Sequence, residues 1–249
     1  RARPAFDPHI FQQQKRAPDK VRDPRRVYGD NAYLRISSSL GASMIPSIVQ
    51  SRTRHNRQEV RHKIYMTIKF NMLIAIPCAV GMGVLAGPVM QLIFHDNSQL
   101  SANLMRIGSF AVVFFSLSTV TNAVLQGIDR MSQSVTHSAI SLMLHTALVY
   151  VMLEHLDWGV YGLVIGNVTF ALVVCILNWI SIGRALRYRQ EIKTTFLLPL
   201  LSAAFMGAAA FGSYNIIYSV TQINALGVAV SVPLAMVIYG LLIILFGAV

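Results

Sequence analysis

Residues 51–63 read SRTRHNRQEVRHK, setting Arg52, Arg54, Arg57, Arg61 and Lys63 against a single acid, Glu59. This basic loop separates two long apolar runs. Segments so rich in Lys and Arg stay on the cytoplasmic side of a bilayer, so placing this one inside sets the direction of every span that follows.

Downstream, Tyr65 to Phe94 holds Lys69 as its only formal charge, and Ile107 to Leu153 holds only Asp129 and Arg130. Each run exceeds the roughly 20 helical residues that cross a hydrocarbon core of about 30 Å. Composition agrees: 54% of residues are apolar and 12% charged, against roughly 45–50% and about 25% in soluble domains. The chain is therefore expected to be an all-α integral membrane protein, multi-pass in the cytoplasmic membrane, with about seven transmembrane helices. Their expected bounds are Asn31–Gln50, Ile64–Phe94, Leu104–Ile128, Ser132–Leu153, Val160–Ile182, Thr195–Val220, and Leu226 to the end. Pro77 and the Gly87-Pro88 pair are expected to kink the second span or end it early.

The connections test this arrangement. Alternating from the basic loop, the inside connections carry five, one and four Lys or Arg, whereas residues 95–103, 154–159 and 221–224 outside carry none. Trp158, in the acidic EHLDWG connection, sits where an interfacial aromatic residue belongs. The net charge of +11 follows the same logic. Eight of the 21 basic residues lie in residues 1–26 and the others concentrate in short connections, which is a topology signal and not a nucleic-acid surface.

Residues 1–27, with Pro4, Pro8, Pro18, Pro24 and three consecutive glutamines, lack apolar periodicity and are expected to be disordered. The chain starts at Arg1, without the apolar core of a signal peptide, and reads as a fragment. Cys78 and Cys175 lie within apolar runs, without metal-ligand or disulfide spacing, and no cofactor motif is present.

An enzyme finds little support, because the spans hold no carboxylate pair, no nucleophile motif and no phosphate-binding glycine loop. They do hold polar residues at helical spacing, which a membrane makes costly. Ser134, Ser138, Ser141 and His145 form one stripe on the fourth span. Ser118, Asn122 and Gln126 recur every four residues on the third. Hydroxyls of this kind commonly bond back to their own helix. Asn122, Gln126 and His145 are candidates for lining a substrate cavity, the alternative for each being a cross-link between helices. Arg35 is a further candidate, since its planar fork suits a pyrophosphate. Lys69 lies near enough to the basic loop to snorkel, and Arg106 reads as an interfacial anchor. Gly162 and Gly166 in GLVIG form a GxxxG packing signal.

Taken in order, SLGASMIPSIVQS before the basic loop, EVRHKI, LAGPVMQLIF, NAVLQGIDR and GVYGLVIGNV resemble the second half of polysaccharide-biosynthesis flippases. These are the stage V sporulation protein B-like members of the multidrug/oligosaccharidyl-lipid/polysaccharide exporter superfamily. The resemblance covers about residues 30–249. It implies a transporter of two pseudosymmetric six-helix bundles, often with two extra helices, that moves a lipid-linked saccharide between leaflets by alternating access. On that plan residues 28–187 supply five helices of the C-terminal bundle and residues 188–249 the two additional ones. The opposing N-terminal bundle is a partner outside this sequence, and membrane lipid and the lipid-linked saccharide are the others.

A multidrug cation antiporter of the same superfamily is the competing reading. Such proteins resemble a twelve-helix plan and tend to use membrane carboxylates, which these spans lack. A non-transporting membrane scaffold is the third.

Overall fold

In the computed structural model, which describes Ile48 and residues 57–187 and 191–247, every regular element is a helix. The elements are α1 (Arg57–Val84), α2 (Ala86–Phe94), α3 (Gln99–Gly127), α4 (Met131–Glu154), α5 (Val160–Leu186), a π-helical turn (Lys193–Leu197), α6 (Leu198–Thr221) and α7 (Asn224–Leu245). Six helices among the described residues are long and apolar enough to cross a membrane, the π turn and α6 counting as one. The expected first span, Asn31–Gln50, and the basic segment 1–27 lie outside the described residues, except for Ile48, which is helical and buried.

The basic stretch departs from its reading as a loop. Residues 57–63 form the first two turns of α1, where Lys63 Nζ lies 2.9 Å from Glu59 Oε1, one turn away. The 28-residue helix extends about 42 Å, so about 12 Å of it lies beyond a 30 Å hydrocarbon core and carries charge at little cost. Lys69 lies 5.9 Å from the centre of the Tyr65 ring, over which its ammonium sits.

Buried residues on α1 recur as Val60, Ile64, Ile68, Met72, Ala75 and Ala79, while Met66, Phe70 and Ile74 face outward. The inward row packs on Leu117, Val120, Val124 and Ile128 of α3 to form the main core. Neighbouring helices then run α4, α5, α3, α1, α6, α7, with α3 between α1 and α5. A second core gathers Leu85 with Met206, Ala210 and Tyr214 of α6 and Val228 and Ala235 of α7.

The two prolines of the second span act differently. Pro88 follows a break at Leu85 (φ −95°, ψ 21°), which divides the span into α1 and α2. Pro77 stays inside α1. Without an N–H it cannot donate to the carbonyl four residues back, that of Leu73. The Tyr239 hydroxyl of α7 donates to that carbonyl at 2.8 Å. Asn224 Nδ2 likewise donates to the Pro88 carbonyl at 2.9 Å, and Asn224 Oδ1 accepts from Tyr214 at 2.9 Å.

Between α3 and α4 the chain turns through Asp129, at φ 60°. Arg130 N donates to Leu125 O (2.8 Å) and Asp129 N to Gln126 O (3.0 Å), the paired bonds that close a helix through a left-handed residue. At the other end of α3, the Ser98 hydroxyl accepts from Ser101 N (3.3 Å). Asp96 accepts from the Ser101 hydroxyl and from Ser98 N and Oγ. Foremost through the Ser101 hydroxyl, those bonds hold the Asp96 carboxyl below the usual carboxylate range.

Candidate functional site: a polar junction of three helices

The last turns of α3, the first half of α4 and the second half of α5 meet in a cluster of amides, hydroxyls and one imidazole. Asn178 of α5 is at its centre and is fully buried. Its Nδ2 donates to Asn122 Oδ1 (2.8 Å) and to Thr121 Oγ1 (3.0 Å), both on α3. Its Oδ1 lies 2.8 Å from Nδ1 of His137 on α4. With the amide set this way, Nδ1 carries the proton and Nε2 is free to accept from the Ser181 hydroxyl at 3.3 Å. Ser134 Oγ donates to Asn122 Oδ1 at 2.7 Å, giving that oxygen two donors. Thr121 and Ser141 turn their own protons to backbone carbonyls one turn back.

The local sequence explains the convergence. Ser134, His137 and Ser141 lie at intervals of three and four, so one face of α4 presents them all to α3 and α5. In lipid each buried amide must find a partner, and membrane-buried bonds of this kind contribute about 0.6 to 1.7 kcal/mol each. No Asp, Glu, Lys or Arg side chain takes part in the junction's bonds. Its chemistry is hydrogen bonding, suited to holding helices or to meeting the hydroxyls of a polar ligand, and not to neutralising an anion.

The candidate residues fall in different places. Asn122 is half-buried and inside the junction, whereas Gln126 is exposed at the end of α3. His145 lies eight residues, about 12 Å, along α4 from His137. Its ring meets Phe170 edge-on at 6.0 Å, and its buried Nδ1 has no hydrogen-bond partner among the described residues. Arg35 lies outside the described residues.

Gly162 and Gly166 lie where α5 receives α4. A Cβ on Gly166 would come within 2.5 Å of Val149 Cγ2 and 3.0 Å of His145 Cε1, and one on Gly162 within 3.0 Å of Met152 Cβ. The sequence reading does not mark His137 or Asn178. Asn178 carries the same signal as Asn122, an amide within an apolar run. His137 shares the face of the serine stripe.

Beyond the junction, Ser116 Oγ donates to Asn71 Oδ1 at 2.9 Å between α3 and α1. Among the described residues no three His, Cys, Asp or Glu side chains are grouped to hold a metal.

Six long apolar helices joined by buried amide and hydroxyl bonds define a multi-pass membrane protein, and its family match belongs to the multidrug/oligosaccharidyl-lipid/polysaccharide exporter superfamily. Residues 35–238 match the family model described as lipid II flippase MurJ, and the chain belongs to that family. It is 26% identical over 216 residues to a probable lipid II flippase MurJ of Bdellovibrio bacteriovorus, covering 82% of the chain and 40% of the relative. It is 29% identical over 181 residues to a lipid II flippase MurJ of Bacillus subtilis, covering 70% of the chain and 32% of the relative. The chain thus spans about a third to two fifths of the length of these curated relatives.

Proposed function

We propose that the chain is the C-terminal part of a transporter that flips lipid II, a lipid-linked cell-wall precursor, across the cytoplasmic membrane. The observation that carries this reading is the family match over residues 35–238. Alternating access needs two bundles that rock about a shared cavity, so an opposing N-terminal bundle belongs to the proposal. The start of α1 and the connection from Arg184 to Lys193 then face the cytoplasm, as their Lys and Arg content favours.

In the proposed division, residues 28–187 belong to the bundle and residues 188–249 form an added pair. In support, α6 and α7 pack more extensively on each other than either does on any other helix. Within the bundle, the amides, hydroxyls and imidazole of α3, α4 and α5 tie these helices into a unit that moves as one. Asn122, Gln126 and His145 would offer neutral donors and acceptors to the saccharide, with Arg35 as the cation for the pyrophosphate.

The test is reconstitution of the full-length protein in liposomes with labelled lipid II, measuring how much label changes leaflet with time. Exchange well above that of protein-free liposomes is expected. No exchange of any lipid-linked saccharide, together with export of cationic drugs, would overturn the reading in favour of an antiporter.

A further inference from the structure

Toward the end of α1 farthest from its basic turns, α1, α3 and the start of α6 enclose a cavity of about 530 Å³. Ile76, Val80, Val84, Phe110, Val113 and Leu200 supply most of its wall. Phe110 and Leu200 are exposed at its rim, so this first cavity is a carbon-walled groove that opens at the surface of the bundle. A separate cavity, of about 410 Å³, lies between α3, α5 and the π-helical turn, on the other side of Phe114 and Phe196.

Two polar side chains line the first cavity, Ser109 and Arg106. Ser109 Oγ donates to the Arg106 carbonyl at 2.7 Å and is thereby committed to its own helix. The Arg106 side chain is exposed, and Nη1 donates to Asn103 Oδ1 at 3.0 Å. No described acid lies within ion-pair distance of it.

The dimensions suit one leaflet. From Ile76 to Val84 the wall rises about 12 Å, close to the roughly 15 Å of half a hydrocarbon core. Arg106 lies seven residues into α3, about 10 Å along a helix of about 43 Å. Helical side chains lean toward the N-terminus, which carries the guanidinium toward the headgroup level. Water gains little in a carbon-walled cavity, and a lipid chain fills it without desolvating anything.

We propose that this groove holds an acyl chain of an anionic glycerophospholipid whose phosphate is bound by Arg106. This lipid is a resident of the membrane, distinct from the transported one. A zwitterionic lipid carries its own cation beside the phosphate and competes poorly for Arg106.

The test uses the full-length protein in vesicles, with every tryptophan, Trp158 and Trp179 among them, replaced by Phe and with Phe110→Trp placing a reporter at the cavity. Phosphatidylglycerol and phosphatidylcholine with brominated chains are compared as quenchers at equal mole fraction. The expected preference for phosphatidylglycerol is about fivefold, the size of one cation's attraction to an anionic lipid at the surface. It should vanish in Arg106→Gln, persist in part in Arg106→Lys, and be absent for a Met143→Trp reporter on the lipid-facing side of α4. Helical circular dichroism should be unchanged in each variant.

Equal quenching by the two lipids, or a preference that survives Arg106→Gln, would overturn the proposal. So would relief of the preference by inorganic phosphate, which would mark an anion site without a lipid. Displacement of both lipids alike by a polyprenyl phosphate would instead assign the groove to the transported lipid.

Discussion

The two sides of α3 hold their helices by different means. Toward α4 and α5, side chain meets side chain: Asn178 alone joins Asn122, Thr121 and His137. Toward α1, α6 and α7, contacts are mainly apolar, and polar side chains of α7 reach backbone carbonyls around the prolines of α1 and α2. The contrast shows two solutions to one constraint. Polar groups in lipid must be satisfied within the protein; a buried amide is matched by another side chain, and a proline-freed carbonyl by a hydroxyl from another helix.

The largest effect should come from breaking the first solution. Asn178→Leu removes three bonds and leaves His137 Nδ1 and Asn122 short of partners, at an expected cost of about 2–3 kcal/mol in unfolding from detergent micelles. Gly166→Ala sharpens the same side. Its new Cβ meets Val149 and His145, and the cost should be about 1–3 kcal/mol, above that of Gly162→Ala, whose nearest contact is longer.

On the other side, Tyr239→Phe should cost about 1 kcal/mol. Pro77→Ala restores an N–H for the Leu73 carbonyl, so Tyr239→Phe should cost less in that background. A double-mutant cycle reads the difference, and simple additivity would show that the hydroxyl does not serve that carbonyl.

The smallest effect lies at the start of α3. Because the folded Asp96 carboxyl titrates below its ordinary value, its stabilising contribution is present above about pH 4 and is lost as pH falls through the lower folded value. Asp96→Asn should flatten that acid-side loss, seen in the unmodified protein as a fall in the amide-exchange protection factors of residues 99–102, corrected for intrinsic rates, at low pH.

Much of this architecture is written in local patterns. Runs of apolar residues between basic stretches locate the membrane helices, and Gly87-Pro88 signals the break that falls at Leu85. Helix ends are less legible, because charged turns such as Arg57–Lys63 continue a helix past the hydrocarbon and look like a loop in sequence. The site was half visible. Periodicity marks Ser134 and Asn122 as residues that need a reason, but partnership depends on how helices turn against each other, and that hid the link from Asn122 to Asn178. Tyr239 carries no signal of its own, since its partner is a backbone carbonyl made available 162 residues earlier in sequence by Pro77.

The central claim is that polar groups on α3 and α4 serve transport as well as packing. Its most direct test is the rate at which the full-length protein, in liposomes at matched amounts of folded protein, moves labelled lipid II when it carries Asn122→Ala, His145→Ala or Ser138→Ala. The account predicts about a tenfold or greater loss for the first two, equivalent to about 1.4 kcal/mol, and a rate near that of the unmodified protein for Ser138→Ala. Unchanged rates in both Asn122→Ala and His145→Ala would contradict it and leave these residues as helix-packing groups alone.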